Sequence, residues 1–196
     1  MPRLLHSICL VAAAGCLLPR AHAAAVEVQV ADAAVFLESN NARAAARPEP
    51  GVEVVQIDRQ FQPAVSVVTV GTAVRFPNRD TVRHHVYSFS PVKKFEIKLY
   101  VGTPAAPVVF DSPGVAVLGC NIHDTMAAWV VVVETPHHGL TGTDGKLTLP
   151  GVPPGAYRLR AWHPGLPPGA PALDHALQVP ASGMQAVAVK LAGVVQ

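Results

Sequence analysis

Three residues with soft donor atoms recur at a spacing of three in the segment Gly119–Met126. Cys120 offers a thiolate, His123 an imidazole and Met126 a thioether. The segment lies between two apolar stretches, which indicates a tight loop that can direct its side chains toward one point. This donor set favours copper over magnesium or calcium, and zinc rarely takes a thioether as its fourth ligand.

A second histidine is needed to complete a type 1 copper site, in which two imidazoles and a thiolate are joined by a weak axial thioether. The doublet His84-His85 follows a turn signal at Asp80 and is the candidate source. Successive side chains of a strand point to opposite faces, so only one of the two can face the loop. Each shares its face with apolar side chains, so the pattern does not distinguish them.

The first 23 residues have the features of a secretory signal peptide. Arg3 precedes an uncharged apolar run, and Ala21-His22-Ala23 is a small-x-small cleavage site. The run is too short to cross a bilayer, so we predict no transmembrane segment. Export would place the protein in the periplasm, and the alternative is a lipoprotein modified at Cys16.

Cleavage after residue 23 would change the net charge and the number of cysteines. It removes two arginines and no acidic residue, so Lys+Arg falls from 15 to 13 and equals Asp+Glu at 13. A chain without net charge has little attraction for nucleic acid or an anionic membrane. Cleavage also removes Cys9 and Cys16, which leaves Cys120 as a buried apolar residue, a reactive thiol or a metal ligand.

Short strands joined by turns are predicted along the rest of the chain. Hydrophobic residues make up 50% and charged residues 14%, with 19 Pro and 15 Gly, which favours a packed β protein over disorder or long helices. Strands about ten residues apart predict an all-β antiparallel sandwich or barrel. Residues 129–133 are apolar at every position, so we expect this strand to be buried on both faces.

The same patterns divide the chain into four segments. We predict a signal peptide at 1–23, N-terminal strands and a loop at 24–50, a copper domain at 51–136 and a second small β domain at 137–196. The last segment is short for a complete sandwich. We therefore hypothesise that residues 26–37 supply its first strands, with the copper domain inserted between.

The pattern Cys-x2-His-x2-Met at the end of a strand resembles the copper loop of the cupredoxins. Upstream, residues 74–80 followed by His84-His85-Val86 are similar to the cupredoxin segment that ends in His-Asn-Val, whose histidine is the first copper ligand. The resemblance implies a Greek-key β-sandwich that binds one copper ion. The implied ligands are His84, Cys120, His123 and Met126.

The sequence departs from the cupredoxin pattern at two positions. Ile122 stands where proline is frequent, and His85 stands where asparagine is usual. A backbone N–H at position 85 can still bond the copper thiolate. A side-chain tether across the site does not carry over to this chain.

The wider pattern resembles bacterial proteins of the methylamine utilization type, which join a plastocyanin-like domain to a second β domain. Trp162-His163-Pro164 belongs to this resemblance. Residues 143–149 and 154–159 resemble the carboxypeptidase regulatory-like, or transthyretin-like, β-sandwich. The second resemblance is informative about fold and weak for function.

The cupredoxin resemblance implies a periplasmic carrier of single electrons rather than an enzyme. A redox partner, such as a dehydrogenase or a cytochrome, would contact an apolar patch at the exposed edge of His123. Ala127 and Pro113 are candidates for that patch. The sequence contains no nucleophile elbow, Gly-rich phosphate loop or paired His-x-His copper motif.

Two other functions stay open at this stage. A copper chaperone or storage protein would move the metal, but the chain has only 3 Met and no Met/His-rich tract. An envelope module would bind glycan or protein through the C-terminal sandwich, with Tyr157, Trp162 and His163 on its surface. We expect His137-His138 and His163 in surface loops rather than at a metal.

Overall fold

The computed structural model describes residues 23–27, 31–167, 169–181 and 184–194. Residues 1–22 of the proposed signal peptide and residues 28–30 of the predicted N-terminal strands lie outside these ranges. The described part consists of strands, turns and a single helix of six residues, which confirms the all-β class. No helix within these ranges has the length and apolar character needed to span a membrane.

The strands are short, as the frequent turn signals predicted. In chain order they are β1 Ala23–Glu27, β2 Ala34–Glu38, β3 Val55–Ile57, β4 Gln60–Gln62, β5 Val65–Thr69, β6 Thr72–Val74, β7 His84–Ser90, β8 Lys93–Tyr100, β9 Val108–Phe110, β10 Gly114–Gly119, β11 Ala127–Val133, β12 His138–Leu140, β13 Lys146–Pro150, β14 Gly155–Trp162, β15 Leu173–Val179 and β16 Met184–Ala188. Helix α1 spans Asn40–Ala45, where the sequence predicted a loop with at most one helical turn. Ser39 begins it by accepting a hydrogen bond from the Ala42 N–H at 3.1 Å.

The first sandwich, made of strands β3 to β11, is built on a five-stranded sheet with the order β5-β11-β10-β7-β8. Its pairs are antiparallel except β5 with β11, which is parallel. The two-stranded sheets β3-β4 and β6-β9 contribute to the same core. Phe76, Phe110 and Leu118 are its largest fully buried side chains, and Cys120 and Met126 belong to it.

The second sandwich combines strands from both ends of the described chain. Its sheets have the orders β12-β2-β14-β15 and β13-β1-β16, so β1 and β2 each lie between two strands from the C-terminal part. Leu37 of β2 and Leu159 of β14 are Cα partners and share one buried core. This is the pairing that our insertion hypothesis requires, and the domain boundaries themselves stay a prediction.

A third buried cluster joins the two sandwiches, and we call it the inter-sandwich cluster. Its buried members are Ala34, Phe36, Val65, Val131 and Val133. Strand β11 therefore has two buried faces, because its even-numbered valines, Val130 and Val132, belong to the core of the first sandwich. This confirms the prediction made from its continuous apolar sequence.

Candidate metal centre

Two strands and one loop bring three metal-binding side chains together. His84 begins β7, Cys120 directly follows β10, and His123 lies in the loop before β11. The Cys120 Sγ lies 3.9 Å from the His84 Nδ1 and 3.9 Å from the His123 Nδ1, and the two nitrogens are 3.2 Å apart. Among the described residues, this is the one group of His, Cys, Asp and Glu side chains close enough to hold a metal ion.

These three distances are those of a site for a single ion. A point equidistant from the three atoms lies about 2.1 Å from each, and first-row metals bond nitrogen and sulfur at about 2.0 and 2.3 Å. One cysteine sulfur and two imidazoles are the donor set of type 1 copper sites. The residues present therefore fit a copper ion.

Met126 closes the loop that carries Cys120 and His123. Its backbone N–H donates to the His123 carbonyl at 3.0 Å, and β11 begins at the next residue. Its side chain is only 2% exposed and belongs to the same core as Cys120. Cys120 and Met126 also line one surface groove.

The two histidines of the doublet have different surroundings. His84 has no exposed surface and faces Cys120. His85 packs its ring against Tyr87 at 5.7 Å, and its Nε2 lies 3.1 Å from the Glu96 Oε1, an ion-pair distance without hydrogen-bond geometry. The geometry therefore favours His84 as the ligand, in agreement with the match to His-Asn-Val.

The outer nitrogen of His84 faces a carboxylate that sequence reasoning treated only as part of a turn. The His84 Nε2 lies 2.7 Å from the Asp80 Oδ2. The carboxylate also accepts backbone hydrogen bonds from Asp58 at 2.7 Å and Arg59 at 3.0 Å. Burial pushes the pKa of Asp80 upward, but the hydrogen bonds from Arg59, His84 and Asp58 outweigh it and hold this pKa below its usual value.

A buried polar network surrounds the hydroxyl of Tyr100, the Cα partner of His84 on β8. The Tyr100 hydroxyl donates to the Phe76 carbonyl at 2.6 Å and is bonded to the fully buried Gln56. Burial raises the pKa of Tyr100 to about 12; the hydrogen bond to Gln56 opposes the rise and the nearby Cys120 thiolate adds to it. Tyr100 therefore keeps its proton and remains a hydrogen-bond donor at the pH values where the site would work.

Comparisons with known proteins found matches among solved structures. No protein-family model and no curated protein sequence matches it. Among solved structures, it is similar to the Cu-containing nitrite reductase of Thermus scotoductus SA-01, at 26% identity over 45% of this chain and 23% of that chain, with a TM-score of 0.40.

Two smaller proteins are matched over nearly their whole length. A purple cupredoxin from Nitrosopumilus maritimus is 20% identical over 42% of this chain and 100% of that chain, with a TM-score of 0.39. A reduced Cu(I) form of an amicyanin mutant is 21% identical over 50% of this chain and 98% of that chain, also with a TM-score of 0.39. Each match thus spans half of this chain or less.

The two residues suggested for a docking patch lie in different places. Ala127 is exposed directly after the loop, but Pro113 precedes β10 whereas Cys120 follows it. Six strand residues at about 3.3 Å each put Pro113 about 20 Å from the site. Pro113 therefore does not belong to the patch. Ile122 is 46% exposed next to His123.

Two further histidines of the described residues make contacts away from the metal centre. The His163 Nδ1 accepts a hydrogen bond from the Gly165 N–H at 2.9 Å within a turn, as expected for a loop residue. His138 begins β12 and is half-buried, with its Nε2 3.1 Å from the Glu49 Oε1. The expectation of a surface loop was therefore wrong for His138, because an acidic partner from a distant segment covers it.

Proposed function

We propose that His84, Cys120, His123 and Met126 hold one type 1 copper ion, and that the protein carries single electrons in the periplasm. One observation carries this proposal. A cysteine sulfur and two imidazole nitrogens, from segments up to 39 residues apart, converge at distances that one metal ion spans.

Each ligand residue has a distinct role in this proposal. Bound copper would supply the one-electron couple between Cu(I) and Cu(II). Cys120 would lose its proton to bind as thiolate, and the lone pairs at Nδ1 of His84 and His123 would complete the trigonal set. Met126 would act as the weak axial ligand, whose strength helps to set the reduction potential.

The surroundings of the site support electron transfer over metal delivery. Cys120 is 4% exposed, and His84 and Met126 are equally well buried, so neither water nor a competing ligand reaches them easily. Strands β7, β10 and β11 hold the ligand segments within one sheet. A rigid, closed site changes little between two oxidation states, whereas a chaperone must release its metal to a partner.

The half-exposed His123 is the proposed exit for the electron. Ile122 and Ala127 expose apolar surface beside it, and we propose that a redox protein, such as a dehydrogenase or a cytochrome, docks there. Periplasmic location rests on the signal-like residues 1–23. We assign the chain on the same sequence grounds to the methylamine utilization type of protein, with a carboxypeptidase regulatory-like second sandwich.

Copper binding is the direct test. Adding Cu(II) to the purified protein should produce an intense blue thiolate-to-copper band with one equivalent bound. The band should be absent in Cys120→Ser and kept in His175→Asn, which changes an exposed histidine of β15. Reversible voltammetry with slow loss of copper to a chelator would support a carrier. Rapid loss to the chelator would favour a chaperone, and no band in the wild type would reject the copper site.

A further inference from the structure

The two ring nitrogens of His84 face different chemical partners. Nδ1 faces the Cys120 Sγ and the His123 Nδ1, whereas Nε2 lies 2.7 Å from the Asp80 Oδ2. A neutral imidazole has one N–H and one lone pair, and a carboxylate can only accept a hydrogen bond. Asp80 therefore favours the proton on Nε2, which leaves the lone pair of Nδ1 directed at the metal site.

Asp80 is itself fixed by the backbone around it. Its carboxylate accepts the N–H groups of Asp58 and Arg59, the two residues of the β3–β4 turn. Both have a left-handed φ, at 53° and 56°, a conformation unfavourable for residues other than glycine. The two hydrogen bonds offset that cost, so the β3–β4 turn and Asp80 hold each other in place.

The segment that carries Asp80 is also anchored from inside. The buried Asn78 donates through Nδ2 to the Val82 carbonyl at 2.9 Å and to the Tyr100 carbonyl at 2.8 Å. Its Oδ1 accepts the Asp80 N–H at 2.9 Å. The β3–β4 turn thus holds the Asp80 carboxylate, and Asn78 holds the Asp80 backbone. Asp80 lies four residues before His84, which it contacts.

We propose that Asp80 is a positioning residue of the metal centre, which selects the Nε2–H form of His84 and brings one negative charge to the copper ligand. This inference rests on the proposed function and adds a residue to it. Carboxylates that hold a metal-bound histidine raise its basicity, and their loss commonly lowers metal affinity about 10–100-fold. The charge also stabilises Cu(II) more than Cu(I), and so lowers the reduction potential.

The tautomer of His84 can be measured without any metal. In the apo protein, ¹⁵N NMR of the ring at a pH where imidazole is neutral should show the proton on Nε2. A proton on Nδ1, or an equal mixture of the two forms, would overturn the positioning role even if the wild type binds copper. Failure of the wild type to take up copper would instead reject the proposed function and leave this result standing.

Two truncations separate positioning from simple electrostatics. Asp80→Ala removes both the charge and the hydrogen-bond acceptor, and should bind Cu(II) about 10–100-fold more weakly and show a higher reduction potential than the wild type. Asp124→Ala is the matched control, because it removes an exposed carboxylate next to His123 that lies outside the group formed by His84, Cys120 and His123. Equal changes in affinity and potential in both variants would show that Asp80 acts only through its charge, which would overturn the positioning role. If Asp80→Ala does not fold, the apo tautomer decides.

Discussion

At the scale of single residues, the histidine doublet shows how neighbours acquire different roles. His84 faces Cys120, and His85 faces Tyr87 and Glu96. The difference arises from the alternation of faces along β7, with an irregularity in the β7–β8 register between His84 and Val86. Only the residue that points into the core can meet the loop after β10.

The different contacts of the two histidines predict that substituting them has unequal effects on copper binding. His84→Ala should lose copper affinity by more than the roughly 100-fold that loss of an outer partner costs, because it removes a ligand. His85→Ala should keep the blue band, because its ring lies against Tyr87 and Glu96. Copper titrations followed by absorbance compare the two. Loss of the band in His85→Ala alone would make His85 the ligand.

Met126 yields a second prediction at this scale. Met126→Leu conserves volume in a buried position and should lower the free energy of unfolding by less than about 1.5 kcal/mol. The blue band should remain, since the trigonal ligands are intact. The reduction potential should rise, because Cu(II) loses more than Cu(I) when a donor is removed. Voltammetry measures this, and an unchanged potential would show that the thioether does not reach the metal.

At the scale of elements, β11 connects the metal loop to both sandwiches. It begins directly after Met126, and its alternate valines enter the core of the first sandwich and the inter-sandwich cluster. It also lies between β5 and β10 in the five-stranded sheet. A strand that is buried on two faces and paired on two edges fixes the end of the loop that it follows.

The burial of β11 predicts a clear difference between two valine truncations. Val130→Ala, at a fully buried position, should lower the free energy of unfolding by about 1–3 kcal/mol through the cavity that it leaves. Val117→Ala, on the paired strand β10 and 47% exposed, should change it by about 0.5 kcal/mol or less. Urea denaturation of both apo variants gives the comparison. Equal losses would mean that the outer face of β10 is covered.

At the scale of the whole molecule, Glu49 ties the two sandwiches together. Its Oε1 accepts the Thr69 N–H of β5 at 2.8 Å and lies 3.1 Å from the His138 Nε2 of β12. Burial raises the pKa of Glu49, but the hydrogen bonds from His138 and Thr69 and the attraction of His138 outweigh it and hold this pKa below 4.5. The ionised carboxylate is therefore the form that stabilises the fold.

This contact predicts a pH-dependent contribution to stability. A lowered pKa contributes stability above about pH 4.5, and the contribution is lost as the pH falls through the pKa of the folded state. Glu49→Gln should cost about 0.5–1 kcal/mol near neutral pH, since solvent reaches part of the side chain. The difference from wild type should shrink below pH 4.5.

Denaturation curves at neutral and acid pH measure the effect of Glu49. Glu53→Gln is the control, because Glu53 pairs with the exposed Arg79, at 3.6 Å. That variant should stay close to wild type at both values. A Glu49→Gln difference that grows toward acid pH would contradict the contact described above.

The sequence by itself determined the features that depend on local spacing. Cys120, His123 and Met126 fall within one loop, so their order and donor atoms were sufficient to predict a copper ligand set. The continuous apolar run of β11 and the regular turns were likewise sufficient for the all-β class. Both features depend on residues that are close together in the chain, and sequence periodicity reflects only such residues.

The tertiary structure decided everything that depends on strands meeting across the chain. The register of β7 beside β10 placed His84 rather than His85 against Cys120, 36 residues away. The β3–β4 turn fixed the Asp80 carboxylate beside the His84 Nε2. The length of β10 separated Pro113 from the site. Such contacts are set by which strands pair and in what register, and no local pattern in one sequence fixes that choice.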